Sequence, residues 1–179
     1  IVRSEAAVAL VLKPLEVAIA NGDHIYGVVR GVNVNHEAGQ SGDFTTPSVA
    51  GQWSLLLNAF ADARIESNDI GYIEAHGTGT PVGDAVELEA LAAALADRRR
   101  PERCLVGSVK SNLGHTEAAA GLVGLVKAAL CVGRGLIPQS LHVQQRTPKL
   151  RWAEVPISLA TELQPWPAGV PRIAGVSAF

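Results

Sequence analysis

Two histidines in this sequence sit where side chains meet ligands. His76 follows the stretch IGYIEA and opens the loop His76-Gly77-Thr78-Gly79-Thr80-Pro81, while His115 follows LVGSVK and the loop Ser111-Asn112-Leu113-Gly114. In both places an apolar strand pattern ends, small residues carry the imidazole, and a helix pattern follows. Ligands of open α/β sheets gather at the carboxyl ends of strands, where such loops converge. Neighbouring strands of this kind bring both imidazoles to one cavity. Lys110, at the end of the second apolar strand, adds an ammonium on the same edge. Imidazole titrates near neutral pH, so a shared catalytic role and a purely structural one both stay open on spacing alone. Thr78 and Thr80 lie two apart and project to the same side of an extended loop. Their hydroxyls either hold an elongated polar ligand bearing amides or satisfy the loop's own backbone. GTGTPVGD lacks the Gly-Lys-Ser/Thr ending of a phosphate-binding P-loop, and its glycine spacing is wrong for a dinucleotide site. No third His or Cys falls at ligand spacing, so no metal site is expected and Glu74 is set aside as a ligand.

The elements that must position these residues are legible in outline. A buried strand is predicted over Val8–Leu12, then Pro14, a brief helix to Ala20 and the Asn21-Gly22-Asp23 turn. HIYGVVRGVNVNH, residues 24–36, alternates like a second strand, and residues 36–48 form a Gly/Ser/Thr/Pro loop. Ser48 is placed to cap a helix running to about Arg64. After IGYIEAH and the His76 loop, Asp84 is expected to cap a helix to about Ala96, with Glu87 completing an approximate capping box. CLVGSVK reads as a strand throughout, SNLGHT as a loop, and Thr116 as the cap of a long helix, Glu117 to Cys131. IPQSLH, ISLATELQPWP and RIAGVSAF supply further extended pieces. The resulting order, β-β-α-β-α-β-α-β, indicates a layered α/β fold. The helix AAAGLVGLVKAALC is apolar on nearly every side, which predicts burial between two layers. Gly121 and Gly124 each cost it about 1 kcal/mol of propensity relative to Ala, which close backbone packing would offset.

Composition narrows the class of protein. The 179 residues are 47% hydrophobic and 18% charged with a net charge of -2, which fits one globular domain and argues against disorder. So little net charge gives no field for nucleic acid or an anionic membrane, and neither partner is expected. The run Arg98-Arg99-Arg100 reads as a solvated loop. Cys104 and Cys131 have neither metal-ligand nor disulfide spacing and lie in apolar surroundings, as buried structural thiols do. No span of 18 apolar residues and no signal peptide is present in the sequence, and a cytoplasmic setting is expected. The sequence starts at Ile1, contains no Met and stops at Phe179, which reads as a piece of a longer polypeptide.

EAHGTGTPVGDAVELEAL together with GSVKSNLGHTEAAAGLVGLVKAAL closely resembles the β-ketoacyl synthase (ketosynthase) domain of modular polyketide synthases. RSEAAVALVLKPLEVAIANGDHIYGVVRG, IPQSLHVQQRTPKL and PWP…PRIAGVSAF are similar to its flanking segments, so the resemblance covers essentially the whole sequence. It implies a thiolase-like αβαβα fold, present here in part. Residues 1–30 would close the N-terminal half of the domain, and residues 31–179 would form its C-terminal half, ending before a glycine-rich final loop. It also implies an acyltransferase reaction, a decarboxylative Claisen condensation of an acyl thioester with a malonyl-type extender. By the resemblance, His76 and His115 hydrogen-bond the malonyl thioester carbonyl and assist decarboxylation. Lys110 holds His115 and the local charge pattern, and Thr78 and Thr80 bind the pantetheine amides.

The nucleophilic cysteine of the family lies N-terminal to all of this. No cysteine precedes His76, so the nucleophile is expected outside this chain, and the isolated piece is expected to be inactive in condensation and unstable alone. No cofactor is expected to bind directly, since substrates arrive on the phosphopantetheine of an acyl carrier protein. The implied partners are that carrier protein, the rest of the domain with its neighbouring synthase domains, and a second copy in a homodimer. The alternatives are a non-condensing ketosynthase-like scaffold that docks a carrier protein, and a fatty-acid elongating synthase of the same fold.

Overall fold

The computed structural model of the chain describes residues 1–36, 47–97, 99 and 101–179. Most of the expected loop over 36–48, and Arg98 and Arg100 of the basic run, lie outside the described residues. Within them, the helices are α1 (Leu15–Ala20), α2 (Val49–Ala63), α3 (Gly83–Ala94), α4 (Lys110–Leu113) and α5 (Ala120–Arg134). The strands are β1 (Ile70–Glu74), β2 (Cys104–Gly107), β3 (Leu136–Ile137), β4 (Ile157–Leu159), β5 (Gln164–Pro165) and β6 (Ile173–Val176).

A parallel sheet in the order β4-β2-β1-β6 forms the centre. All of β1 and β2 is buried, as befits parallel strands covered on both faces. Alternation sorts their side chains. Ile73 and Val106 join Leu88, Leu91 and Leu95 on one face, with Leu56 and Phe60 of α2 packed against them. Tyr72 and Leu105 join Cys131, Ile137 and Trp166 on the other. Each large apolar side chain so buried contributes about 1.5–3 kcal/mol relative to exposure. α5 lies on β1 and β6 and buries Ala120, Val123, Gly124, Ala128 and Cys131. The offset expected for its glycines is visible. A Cβ on Gly124 would stand 3.2 Å from Glu74 Cγ and 3.3 Å from Val176 Cγ1, and one on Gly121 would stand 3.3 Å from Ala178 Cβ. The glycines therefore let α5 approach the strand ends that carry the candidate site. Its far side is open, however, with Leu122 and Leu130 exposed. The expected sandwich between two sheets is met on one side only, because the described residues supply a single parallel sheet for it to pack on.

The two N-terminal strands are not formed. Residues 8–12 and 24–36 have no ladder partner among the described residues. Several polar bonds of the second segment go to α2. Val32 N donates to Asp62 Oδ2 at 2.8 Å, Asn35 Nδ2 donates to the Gly51 carbonyl, and Gly31 passes so near Ala63 that a Cβ would stand 2.5 Å from its nitrogen. The β-like alternation thus ends against a helix. α1 and the turn at Gly22 form as expected, with Ala18 N bonded to the Pro14 carbonyl. Ser48 caps α2 through Gly51 N, and the helix stops at a left-handed Arg64. CLVGSVK is a strand only to Gly107, and Lys110 opens the short helix α4 instead of ending a strand. No helix among the described residues is long and apolar enough to cross a membrane.

Unpaired segments leave apolar surface open. Val11, Leu12, Val32 and Val34 are 97%, 78%, 67% and 86% exposed, the kind of patch that drives association. The chain on its own is therefore expected to bind the dye ANS and to self-associate with rising concentration. Sedimentation and dye fluorescence matching a well-packed monomer of equal size would contradict this.

Candidate active site

Register brings the two histidine loops together. Glu74 of β1 lies beside Gly107 of β2, and Ala75 N continues the ladder to the Gly107 carbonyl at 2.8 Å. His76 and the Val109–His115 segment therefore leave adjacent strands at the same edge. β6 arrives on the other side of β1, where Ser177 N bonds the Glu74 carbonyl. The imidazoles of His76 and His115 face each other edge to plane, with centroids 5.4 Å apart and planes at 83°. The pairing expected from equivalent post-strand positions is thus present in space.

Each ring is oriented through Nδ1. Phe179 N donates to His76 Nδ1 at 3.3 Å, and the Phe179 ring lies 4.3 Å from the His76 ring at 31°. Glu117 N donates to His115 Nδ1 at 3.0 Å. A neutral imidazole whose Nδ1 accepts carries its proton on Nε2. Both rings therefore present Nε2–H as a donor. The backbone of His115 is held in turn by residues near the chain start, through His115 N to the Val2 carbonyl at 2.7 Å and Ser4 N to the His115 carbonyl at 2.9 Å. Gly114, at φ 78°, passes so close that a Cβ would meet Val2 O at 3.0 Å. Thr116 makes no cap; the helical run begins as a 3₁₀ turn at Glu117, and the His115 ring accepts the first amide of that turn.

Burial and the charge around the site keep His76 neutral. Burial, then the Lys110 ammonium and His115, lower its pKa to about 4. Burial also lowers the pKa of Lys110, against the Glu74 and Glu87 carboxylates that raise it. A titration of His76 followed by NMR is accordingly expected to have its midpoint near 4, well below the ordinary value of about 6.5. The unfolded chain takes up this proton first as pH falls. The stability tied to the neutral ring is thus present above about 6.5 and lost as pH drops towards the folded value. A midpoint at the ordinary value would contradict this account of the site.

The loop after His76 is pinned from below. Glu87 is buried on α3, its Oε1 accepting His76 N at 2.7 Å and its Oε2 accepting Gly77 N at 2.9 Å. The predicted capping box is therefore absent. α3 starts at Gly83, Asp84 Oδ1 turns back to Gly79 N at 3.0 Å, and Glu87 clamps the histidine loop. Burial pushes the Glu87 carboxyl up to about 6, although hydrogen bonds from Gly77 and His76 pull it down. Gly77 and Gly79 have φ of 46° and 77°, which lets the loop turn between these anchors. Thr78 Oγ1 and Thr80 Oγ1 are 3.3 Å apart, so the two hydroxyls do share a side.

Three contributors escaped the sequence reading. Ser108 Oγ donates to the Gly77 carbonyl and so ties the two loops together. Phe179 packs on His76 from the far end of the chain. Glu74, 1% exposed, holds Val109 N on Oε1 at 2.5 Å, while its Oε2 lies 2.8 Å from Lys127 Nζ. A carboxylate inside the apolar run IGYIEA was a visible signal for the last of these. Cys104 and Cys131 are buried thiols, not joined in a disulfide, in the core on opposite faces of the sheet, and burial raises the pKa of Cys131. Among the described residues, no group of three or more His, Cys, Asp or Glu side chains is placed to hold a metal ion.

Comparison with known proteins agrees with the geometry. The family model for the beta-ketoacyl synthase C-terminal domain matches residues 26–144. A phenolphthiocerol/phthiocerol polyketide synthase of Mycobacterium tuberculosis is 45% identical over 99% of this chain and 8% of that protein. Erythronolide synthase EryA2 of Saccharopolyspora erythraea is 43% identical over 98% of this chain and 5% of its own length. The ketosynthase from module 6 of the bacillaene synthase of Bacillus subtilis 168 superposes with a TM-score of 0.87 at 38% identity, over 93% of this chain and 30% of that one. The oxazolomycin ketosynthase domain OzmH KS7 of Streptomyces albus gives 0.86 at 38% identity, over 93% and 30%. The chain thus spans under a tenth of these curated relatives and about a third of the solved ketosynthase chains. The thiolase-like layered α/β fold expected from the motifs is the fold of those neighbours, and this chain covers its C-terminal part.

Proposed function

The chain belongs to the β-ketoacyl synthase family, and we propose that it is the histidine-bearing part of a condensing domain in polyketide assembly. Residues 1–30 would end the domain's N-terminal half and residues 31–179 would form its C-terminal half. The complete domain would act as an acyltransferase on substrates carried by the phosphopantetheine of an acyl carrier protein, beside further synthase domains and as a homodimer. The observation that carries this reading is the edge-to-plane pair His76 and His115, both presenting Nε2–H.

A malonyl thioester carbonyl accepting from both Nε2–H groups is stabilised as it gains negative charge. The bond from Cα to the carboxylate breaks, CO₂ leaves, and its electron pair forms the enolate. Cα then attacks the acyl thioester on a cysteine outside this chain. That acyl–sulfur bond breaks, and the electron pair departs on the cysteine thiolate. Burial, and after it the Lys110 ammonium, disfavours an imidazolium at His76 and so keeps Nδ1 free to accept from Phe179. Thr78 and Thr80 offer paired hydroxyls to the amides of the pantetheine arm. The isolated chain has no acyl-enzyme to attack and is read as inactive in condensation.

The test supplies the complete domain with acylated cysteine and malonyl carrier protein, and follows CO₂ release and the β-ketoacyl product. Both are expected. CO₂ without product would point to a domain that only decarboxylates, and carrier binding with neither would favour a scaffold.

A further inference from the structure

Glu74, Tyr72 and Lys127 form a buried cluster that meets the chemistry above only through the Glu74 carboxylate, whose charge raises the pKa of Lys110. Lys127 reaches it from the middle of α5, its side chain only 10% exposed against 2% for that of Glu74. The Tyr72 hydroxyl donates to Glu74 Oε2 at 2.5 Å, and burial together with the Glu74 carboxylate keeps that phenol protonated. Oε2 thereby meets a hydrogen bond from β1 and an ion pair from α5. Oε1 is left to accept the Val109 amide. Val109 is the N-cap residue of α4, and Lys110 is the first residue of that helix.

We propose that Glu74 is a positioning residue: by holding the Val109 amide it sets the turn that aims Lys110 beside His76, while Lys127 and Tyr72 fix its second oxygen. The inference rests on the condensing reading above. A buried ion pair is weak evidence for stability, because desolvating two charges offsets most of their attraction, so its presence in the sheet core calls for another account. The bond to Val109 leaves β1 and crosses to the segment that follows β2, so it transmits the strand register directly to the Lys110 turn. α4 is a single turn and cannot hold its own geometry; Leu141 N donates to Ser111 Oγ at 3.0 Å inside it, and Ser108 before it bonds Ser140 and Gly77, but the Val109 amide at its start is held by Glu74. Gly124 of α5 packs on Glu74 Cγ, which prevents the carboxylate from swinging aside.

Glu74→Asp in the complete condensing domain tests this. Asp keeps a charge opposite Lys127 but withdraws the carboxylate by one methylene, so it cannot reach both Lys127 and Val109. Decarboxylation of malonyl carrier protein is expected to lose about 10–100-fold in kcat, since a displacement near 1 Å has effects of that order. KM is expected to stay within about twofold, as only an interaction effective in the reaction has been weakened. Glu74→Gln with Lys127→Met removes both charges and restores an acceptor for Val109, and is expected to rescue most of the lost kcat. A folded Glu74→Asp protein with parental kcat, or a double variant that gives no rescue, would overturn the proposal. Should Glu74→Asp not fold, Glu74→Leu with Lys127→Met is set against the Gln–Met pair. Both cores are uncharged, only Gln accepts from Val109, and the Leu form is expected to be the slow one; equal kcat overturns the proposal. Failure of the condensing reading shows separately, as His76→Ala would then leave decarboxylation unchanged.

Discussion

His76→Ala in the complete condensing domain is expected to lower the kcat for malonyl decarboxylation by about 10²–10³-fold, the usual cost of removing one preorganised donor to a developing oxyanion. His115 remains, but one imidazole then faces the carbonyl alone. The loss should fall on kcat more than on KM, because the hydrogen bond strengthens only as the oxygen gains charge. The fold should tolerate the change. His76 is half-buried, its backbone stays clamped by Glu87, which also grips Gly77, and the Phe179 amide that loses its acceptor is exposed to water. His76→Gln keeps a donor but not the ring that stacks on Phe179 and meets His115, so an intermediate rate is expected. Acylation of the cysteine is the internal control and should survive. A variant that loses less than about threefold would remove His76 from the chemistry, since effects that small are those of a bystander.

The sequence carried the site's periphery better than its supports. His76 and His115 could be paired because each follows an apolar strand, and parallel strands deliver their loops to one edge. Ser48 and the glycines of α5 were also readable, since a cap and a close approach are local signals. Three things were not local. The segments 8–12 and 24–36 have strand-like composition, but a strand needs a ladder partner, and composition cannot supply one. LVGSVK is apolar up to Lys110, a pattern that puts this lysine at the end of a strand. The ladder stops at Gly107, and the Val109 amide is taken by Glu74 instead of a neighbouring strand. Glu87 departs from its sequence pattern for a related reason. Its spacing from Asp84 fits a capping box, yet a buried carboxylate accepts from whichever amides lack partners, and those belong to the histidine loop.

Glu87 gives the second large effect, with stability and activity expected to part company. Glu87→Ala leaves the amides of His76 and Gly77 without their acceptor, at about 1–3 kcal/mol each, towards the lower end because both are only partly buried. In the complete condensing domain that lowers Tm, and the freed loop should also lose about 10²-fold in decarboxylation through misplacement of His76. Glu87→Gln behaves differently. The carboxyl is pushed up to about 6 by burial, so near neutral pH the folded protein holds an ionised group that burial disfavours. The folded state keeps that proton over a window in which the unfolded chain, with a pKa of about 4.3, has lost it. This group's contribution to stability is thus fully present below about 4.3 and lost as pH rises through the folded value. Gln carries no such penalty, and at pH 8 the variant is expected to be at least as stable as the parent. Its amide nitrogen, however, cannot accept from a second N–H, so one of the two loop bonds is lost and kcat should fall by about tenfold or more. Thermal unfolding of parent and Glu87→Gln across pH 4–8, beside decarboxylation rates, checks both halves. The parent's Tm relative to the variant should fall as pH rises. A Gln variant with full activity would show that one acceptor suffices to hold His76. A Gln variant less stable at pH 8 than at pH 4, relative to the parent, would show that the two hydrogen bonds outweigh the cost of burying the charge.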